Sequence, residues 1–292
     1  MKKLITTLPL LTIVYFVSWM IGMMIAFALF PADMPADPSG FDLKIILVSF
    51  LHASVLYAFL YYSRTGGWTL FATLVLVSYG LSFFITQVET IWFNETIGMD
   101  RQVLNALLTG GLIASIIFSA SAVVISGKRI TKVFPVNLPV IHINRVLLWI
   151  FLIILIWPMI YFIAGYFIAW QFADVRVFYS GTDELKSFAE MMQANIEGGL
   201  YLFQVLRSFI WILIALLIHY SLKEQSVFLQ MLLTGALFSF LGSSQLLLEN
   251  PLMPETVRYV HLLETFVSTY FWGAVLAYVL ADSLPQSVAA AV

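Results

Sequence analysis

The chain has 292 residues, of which 61% are hydrophobic and only 10% are charged, whereas soluble domains carry roughly 25% charged residues. A net charge of −2 argues against a nucleic-acid partner, because phosphate binding requires a clustered basic surface. The absence of cysteine excludes disulfides, thiol nucleophiles and cysteine-ligated metal sites. These properties predict an all-α integral membrane protein that is surrounded by the lipid bilayer.

Apolar runs of around twenty residues recur eight times, and each is long enough to cross a hydrocarbon core of ~30 Å as a helix. The predicted transmembrane helices are 8–30, 44–62, 68–93, 103–125, 146–170, 200–220, 227–248 and 257–281. Lys2 and Lys3 precede the first run as in a signal peptide, but this run is longer than a signal core of ~7–15 residues. We therefore expect a retained first helix and a polytopic fold of about eight helices.

The longest basic connector divides the predicted helices four and four. It contains Pro135 and Pro139 and predicts two halves, 1–126 and 146–292, joined by a basic cytoplasmic linker at 127–145. Tyr15-Phe16 in the first half has a counterpart in Tyr161-Phe162, and 87–101 resembles 245–258 in spacing. Because each half has an even number of spans, these matches favour a parallel 4+4 repeat.

Lysine and arginine near helix ends mark the cytoplasmic side of a membrane protein. One side of the predicted bundle is richer in them, with Lys2, Lys3, Arg64, Lys128, Arg129, Lys132, Arg145 and Lys223. The opposite loops gather acidic residues, among them Asp33, Asp37, Asp42, Glu95, Asp100, Asp174 and Glu255. We expect both termini on the cytoplasmic side of a bacterial-type plasma membrane.

An amphipathic segment near 182–198 precedes the sixth predicted helix. Thr182 is the predicted N-cap, followed by two acidic residues in the first turn. Apolar residues then recur at helical spacing, at Leu185, Phe188, Met192 and Ile196. The segment is expected to lie on the lipid headgroups of the outer surface, and the alternative is that it covers a cavity that opens outward.

Polar side chains inside the predicted spans are the main indication of function, because such groups are costly in a membrane and usually face protein or a water-filled cavity. Residues three, four or seven apart share a helix face, and this spacing gives four stripes near the outer ends of the spans. They are Ser78, Ser82, Thr86 and Glu89; Gln204, Arg207, Ser208 and Trp211; Gly235, Gly242, Gln245 and Glu249; and His261, Glu264, Thr265 and Ser268. We predict an outward-open polar pocket among helices three, six, seven and eight, with His52 at its inner edge.

The leading functional hypothesis is a small-molecule or ion transporter, permease-like and without a cofactor. Its predicted substrate-binding or proton-coupling residues are Glu89, Arg207, His261, Glu264, Gln204 and Gln245. A membrane carboxyl group that changes its protonation on ligand binding would couple transport to protons. The competing interpretation is that Arg207 pairs with Glu89 or Glu264 only to specify helix packing.

Two further classes of function stay open from the sequence. An intramembrane metal-dependent enzyme acting on a lipid-linked or periplasmic substrate would use His52, Glu89, His261 and Glu264 as ligands, although the His-x-x-Glu spacing at 261–264 lacks the second histidine of His-Glu-x-x-His. A structural or signalling subunit would use the polar residues to contact a protein partner. No glycine-rich phosphate loop occurs, which argues against an ATP-driven pump, and no catalytic residue is assigned.

Overall fold

The computed structural model of the protein describes residues 2–32, 43–131, 143–250 and 252–283. Eight helices in this part of the chain are long and apolar enough to cross a membrane. Spans 1 to 8 are Thr6–Leu29, Lys44–Tyr62, Gly67–Trp92, Arg101–Ser126, Leu147–Ala169, Leu200–Leu222, Val227–Leu247 and Glu255–Ala281. Each predicted run forms one span, with both ends within two residues of the prediction. The protein is therefore an all-α, multi-pass membrane protein.

The ends of spans 2, 4 and 6 meet on one side of the bundle, which we call the basic side. The Arg64 amide donates to Ser221 O at 2.9 Å, and its guanidinium Nε donates to Tyr220 O at 2.8 Å. Lys128 donates from its ammonium group to Leu60 O at 2.6 Å and to Ser63 O. A lysine at the carbonyl end of span 2 is favourable, because those carbonyls have no partner inside the helix. The opposite side, with the loops at 93–100, 170–199 and 248–254, is called the acidic side.

Two of the spans contain wider π-helical turns. Span 3 has one at Gly80–Phe84, and span 5 has two, at Leu152–Ile156 and Gly165–Ala169. A π turn inserts one residue and shifts the helix face that follows it, so the polar stripe predicted for helix three does not continue in regular register. Ser82 O, inside the turn of span 3, accepts a hydrogen bond from the side chain of Gln245 on span 7.

A short helix at Ala173–Ser180, which we call the covering helix, follows span 5. Its Val175 is fully buried and packs in one apolar cluster with Val257 and Val260 at the start of span 8. Arg176 closes the loop around this helix by donating to Asp183 O and to Trp170 O, both at 2.7 Å. The covering helix is thereby held against the acidic-side end of span 8.

A second short helix at Phe188–Glu197, which we call the interfacial helix, lies within the predicted amphipathic segment. Its N-cap is Ser187 and not Thr182, so the predicted start is wrong by five residues. Thr182 instead accepts from the Glu184 amide at 3.2 Å in a local turn, which is the alternative that threonine side chains offer to a helix. Phe188 anchors the helix by contacting the rings of Tyr166 and Phe167, with centroid distances of 5.3 and 5.9 Å.

Replacing Ser187 with alanine is expected to loosen the first turn of the interfacial helix by about 0.5–2 kcal/mol, because the Ser187 hydroxyl accepts from the Glu190 amide at 3.3 Å and donates to the Glu190 carboxylate at 2.6 Å. Hydrogen bonds from the Ser187 side chain and backbone hold the pKa of Glu190 below its usual value. A carboxyl with a lowered folded-state pKa stabilises the helix above its unfolded-state pKa, and this contribution is lost as the pH falls through the folded-state pKa. Faster amide hydrogen exchange in the first helical turn, in the variant and in wild type at low pH, is the expected measurement.

Several predicted features fall outside the described residues. The predicted linker at 127–145 has its segment 132–142 there, together with the acidic residues Asp33, Asp37 and Asp42 of the loop after span 1. The division into two four-helix halves and the parallel repeat therefore stay predictions.

Candidate functional site

A two-point ion pair joins Arg207 on span 6 to Glu89 on span 3. Nη1 and Nη2 of the guanidinium donate to the two carboxylate oxygens at 2.8 and 3.0 Å. The Arg207 side chain is 5% exposed, whereas that of Glu89 is 30% exposed. A two-point pair of this kind fixes both groups in one plane and is stronger than a single hydrogen bond.

Gln204 lies one helical turn from Arg207 and extends the contact to span 5. Its Oε1 accepts from Arg207 Nη1 at 3.1 Å and from the indole N–H of Trp157 at 3.2 Å. The guanidinium carbon also lies 5.6 Å from the ring centre of Phe203. Phe203 stacks on Trp92 at the end of span 3, with a centroid distance of 4.5 Å. Arg207 is thus enclosed by aromatic side chains on the faces that Glu89 leaves free.

A second pair on span 8 joins His261 to Glu264. Nδ1 of the imidazole and Oε2 of the carboxyl group are 2.6 Å apart, as expected for residues one turn apart on a helix face. The imidazole N–H donates when Glu264 is ionised, and a protonated Glu264 donates to the imidazole instead. Glu264 is 6% exposed. This pair can therefore hold one proton between two groups.

Two tyrosine side chains lie near the two pairs. Tyr161 on span 5 lies within electrostatic range of Glu89, Arg207 and Glu264. Tyr179 on the covering helix packs edge-on against His261, with ring centres 5.4 Å apart. Desolvation raises the pKa of the Tyr179 hydroxyl above its usual value, and the negative charges of Glu89 and Glu264 raise it further, so this hydroxyl remains a hydrogen-bond donor at neutral pH. We call the whole set the paired-charge cluster: Glu89, Tyr161, Tyr179, Gln204, Arg207, His261 and Glu264.

The paired-charge cluster lies in the acidic-side half of the spans. At a rise of ~1.5 Å per residue, Arg207 lies ~10 Å along span 6 from its first residue, and Glu264 ~14 Å along span 8. Glu89 is ~5 Å from the end of span 3. Each of these distances is less than half of a ~30 Å hydrocarbon core, so all three residues lie in the half of their spans that is nearer the covering helix.

No family model, no curated protein and no solved structure matches this chain. The function has to be inferred from the side chains that the fold brings together.

Gln245 and His52, both predicted as part of the pocket, lie elsewhere. They line a small cavity between spans 1, 2, 3 and 7, with Tyr15 and Ser49 also in its wall. The Tyr15 hydroxyl and His52 Nδ1 are 2.6 Å apart. The cavity volume is about 10 Å³, which is close to the minimum for one water molecule. With its bond to Ser82 O, Gln245 braces the π turn of span 3 and takes no part in the paired-charge cluster.

The four candidate metal ligands are not gathered at one point. Glu89, His261 and Glu264 belong to the paired-charge cluster, whereas His52 lies in the separate cavity. Across residues 2–32, 43–131, 143–250 and 252–283, no group of three histidine, aspartate or glutamate side chains is arranged to hold a metal ion.

Three aromatic residues of the site had no role assigned from the sequence: Trp157, Tyr161 and Tyr179. The predicted stripes were restricted to spans 3, 6, 7 and 8, so the polar ends of aromatic side chains on span 5 were overlooked. Buried Tyr and Trp usually place their O–H or N–H against a partner. Applied to span 5, that rule brings Trp149, Trp157, Tyr161 and Tyr166 into consideration, and the structure places Trp157 and Tyr161 at the site. Tyr179 carries no comparable signal, because its position depends on how the covering helix folds back over span 8.

Proposed function

We propose that this protein is a proton-coupled transporter of a small molecule or ion, and that the paired-charge cluster is its substrate and coupling site. The observation that carries the proposal is the arrangement of two acid-containing pairs, Arg207 with Glu89 and His261 with Glu264, on three different spans under one covering helix. The carboxyl groups exchange protons, and Arg207 provides a fixed positive charge for the substrate.

The arrangement goes beyond what helix packing requires. Charged groups in a span are costly and are retained mainly on substrate and proton pathways. A single Arg207–Glu89 pair would be enough to specify how span 3 packs on span 6. The second pair joins no two spans, because His261 and Glu264 share span 8. This histidine–carboxyl pair therefore adds a proton-binding group without joining two spans, and its contact with another helix is the packing of His261 against Tyr179 of the covering helix.

The proposal includes an orientation. The lysine and arginine residues of the basic side support an orientation in which that side, together with both termini, faces the cytoplasm at a plasma membrane. The paired-charge cluster then lies in the outer half of the bilayer, and the covering helix separates it from the outside. The interfacial helix, with its apolar face, rests on the outer headgroups.

Proton-coupled uptake in proteoliposomes tests the proposal. Wild-type protein is reconstituted with a pH-sensitive dye inside the vesicles, and a panel of small anions, cations and neutral solutes is added outside. At least one solute is expected to acidify the interior faster than it does in protein-free vesicles. Replacing Glu264 with glutamine removes the proton-binding carboxyl group and is expected to slow this acidification at least about tenfold, an effect equivalent to ~1.4 kcal/mol in the rate-limiting barrier.

The matched control is Glu255→Gln, which removes a carboxyl group from the exposed first turn of the same span. This variant is expected to behave as wild type. Transport is rejected if no solute in the panel acidifies wild-type vesicles beyond protein-free ones, and proton coupling through Glu264 is rejected if the Glu264→Gln variant keeps the wild-type rate.

A further inference from the structure

Five buried side-chain nitrogen atoms in and beside the paired-charge cluster have no hydrogen-bond partner in the described part of the chain. They are Gln204 Nε2, Arg207 Nε, Trp211 Nε1, Trp272 Nε1 and His261 Nε2. Buried polar groups without a partner are rare in folded proteins, and each one calls for an explanation. The first four are N–H donors that cannot accept, whereas His261 Nε2 donates or accepts according to its tautomer, so donors predominate among these five atoms.

The four donors surround one centre in the bundle. Gln204, Arg207 and Trp211 recur at spacings of three and four along span 6 and share its buried face. Trp211 and Trp272 both pack on Trp157, with ring centres 5.7 Å apart in each case. Trp157 in turn donates to Gln204. The unsatisfied donors of spans 6 and 8 therefore lie around the same group of tryptophan side chains.

The contact with Glu89 indicates that a carboxylate fits Arg207. The planar carboxylate of Glu89 engages the guanidinium through two parallel hydrogen bonds, the geometry that arginine favours for carboxylates. Glu89 is also the exposed partner, since its side chain is 30% accessible against 5% for Arg207. It can therefore leave Arg207 without crossing the protein interior.

We propose that the ligand of the site is a small organic carboxylate that displaces Glu89 from Arg207. This inference rests on the proposed function and names its substrate class. The carboxylate oxygens of the ligand accept from Arg207 and from Gln204 Nε2, which gains the acceptor that it lacks. The apolar part of the ligand packs against the indole of Trp157 and the ring of Phe203, both of which flank the guanidinium.

The test uses acetate as the probe and the full-length protein in detergent. Glu89→Ala empties the position opposite Arg207 and is expected to lower the thermal unfolding midpoint. Sodium acetate is expected to raise that midpoint by about 2–4 °C more than sodium chloride at the same concentration does. Wild-type protein is expected to respond less, because Glu89 occupies the same position. If Glu89→Ala does not fold, Glu89→Gln replaces it and is expected to bind acetate about tenfold more tightly than wild type.

Two control variants decide between the outcomes. Glu264→Ala removes the other acid but leaves Arg207 paired, and acetate is expected to stabilise it no more than wild type. Glu89→Ala combined with Arg207→Met removes the guanidinium, and its response to acetate is expected to vanish. An equal response in this double variant, or no acetate response in any Glu89 variant, overturns the inference.

Adding inorganic phosphate in place of acetate shows whether the site binds phosphate-bearing ligands or carboxylates. Stabilisation of Glu89→Ala by phosphate but not by acetate assigns the site to phosphate-bearing ligands and overturns the carboxylate class. Acetate binding that persists while no solute drives proton uptake rejects the transporter and leaves the carboxylate site standing. Proton uptake driven by solutes without a carboxylate, with no acetate binding, rejects the carboxylate inference alone.

Discussion

Glu89→Leu is expected to lower the free energy of unfolding by about 3–5 kcal/mol, the usual result of removing one partner from a buried ion pair. The variant leaves the guanidinium of Arg207, whose side chain is 5% exposed, without a counter-ion. Guanidinium does not lose its proton in proteins, and Gln204 Oε1 offers only a neutral oxygen. Reversible unfolding in mixed detergent micelles, followed by tryptophan fluorescence, measures the change.

Arg207→Met is expected to destabilise the protein less than Glu89→Leu does. The carboxyl group that it leaves behind is less enclosed by protein, at 30% exposed, and a carboxyl group, unlike a guanidinium, can become neutral by taking up a proton. The double variant Glu89→Leu with Arg207→Met is expected to recover much of the lost stability, because an apolar pair of similar volume often replaces a buried ion pair without loss. Additive losses in the double variant would contradict a direct coupling between the two side chains.

The spans were predictable from the sequence because their cause is local. A run of apolar residues long enough to cross the bilayer has few alternatives to a helix, since every backbone N–H and C=O in lipid must be satisfied within the segment. The partner of Arg207 was also predicted from the sequence, as either Glu89 or Glu264, because a guanidinium buried in a span requires an anion. Glu89 turned out to be that partner.

The assignment of Gln245 to the pocket shows where sequence reasoning stops. Helical spacing tells which residues share a face, but the neighbour of that face depends on how the spans are arranged. The π turn at Gly80–Phe84 also leaves Ser82 O free to accept from Gln245 on span 7. A prediction that assumes 3.6 residues per turn along span 3 misses this hydrogen bond. The start of the interfacial helix was mistaken for a related reason, because Thr182 and Ser187 are both acceptable N-caps and the capping box with Glu190 favours Ser187.

Gly235→Ala is expected to lower the free energy of unfolding by about 1–3 kcal/mol or more, the usual range for overpacking. A methyl group at Gly235 on span 7 would lie 2.9 Å from Tyr270 O and 3.1 Å from the Tyr270 ring on span 8. The backbone oxygen cannot rotate away, so span 8 has to move. The close approach recurs from the other side, where a methyl group at Gly273 would lie 2.8 Å from Thr234 O. Glycines at such crossings let the helix backbones approach closely.

Gly242→Ala is the matched control, since Gly242 lies two helical turns further along the same span and the sequence grouped it with Gly235 on one face. A methyl group there would meet its nearest atoms at 4.0 Å, an ordinary van der Waals distance. Alanine also favours the helix by ~1 kcal/mol over glycine, so this variant is expected to match or exceed wild-type stability in the same unfolding measurement. Equal losses in both variants would mean that span 7 tolerates no side chain on this face. A loss confined to Gly235→Ala would assign the requirement for glycine to the crossing with span 8, the span that carries His261 and Glu264.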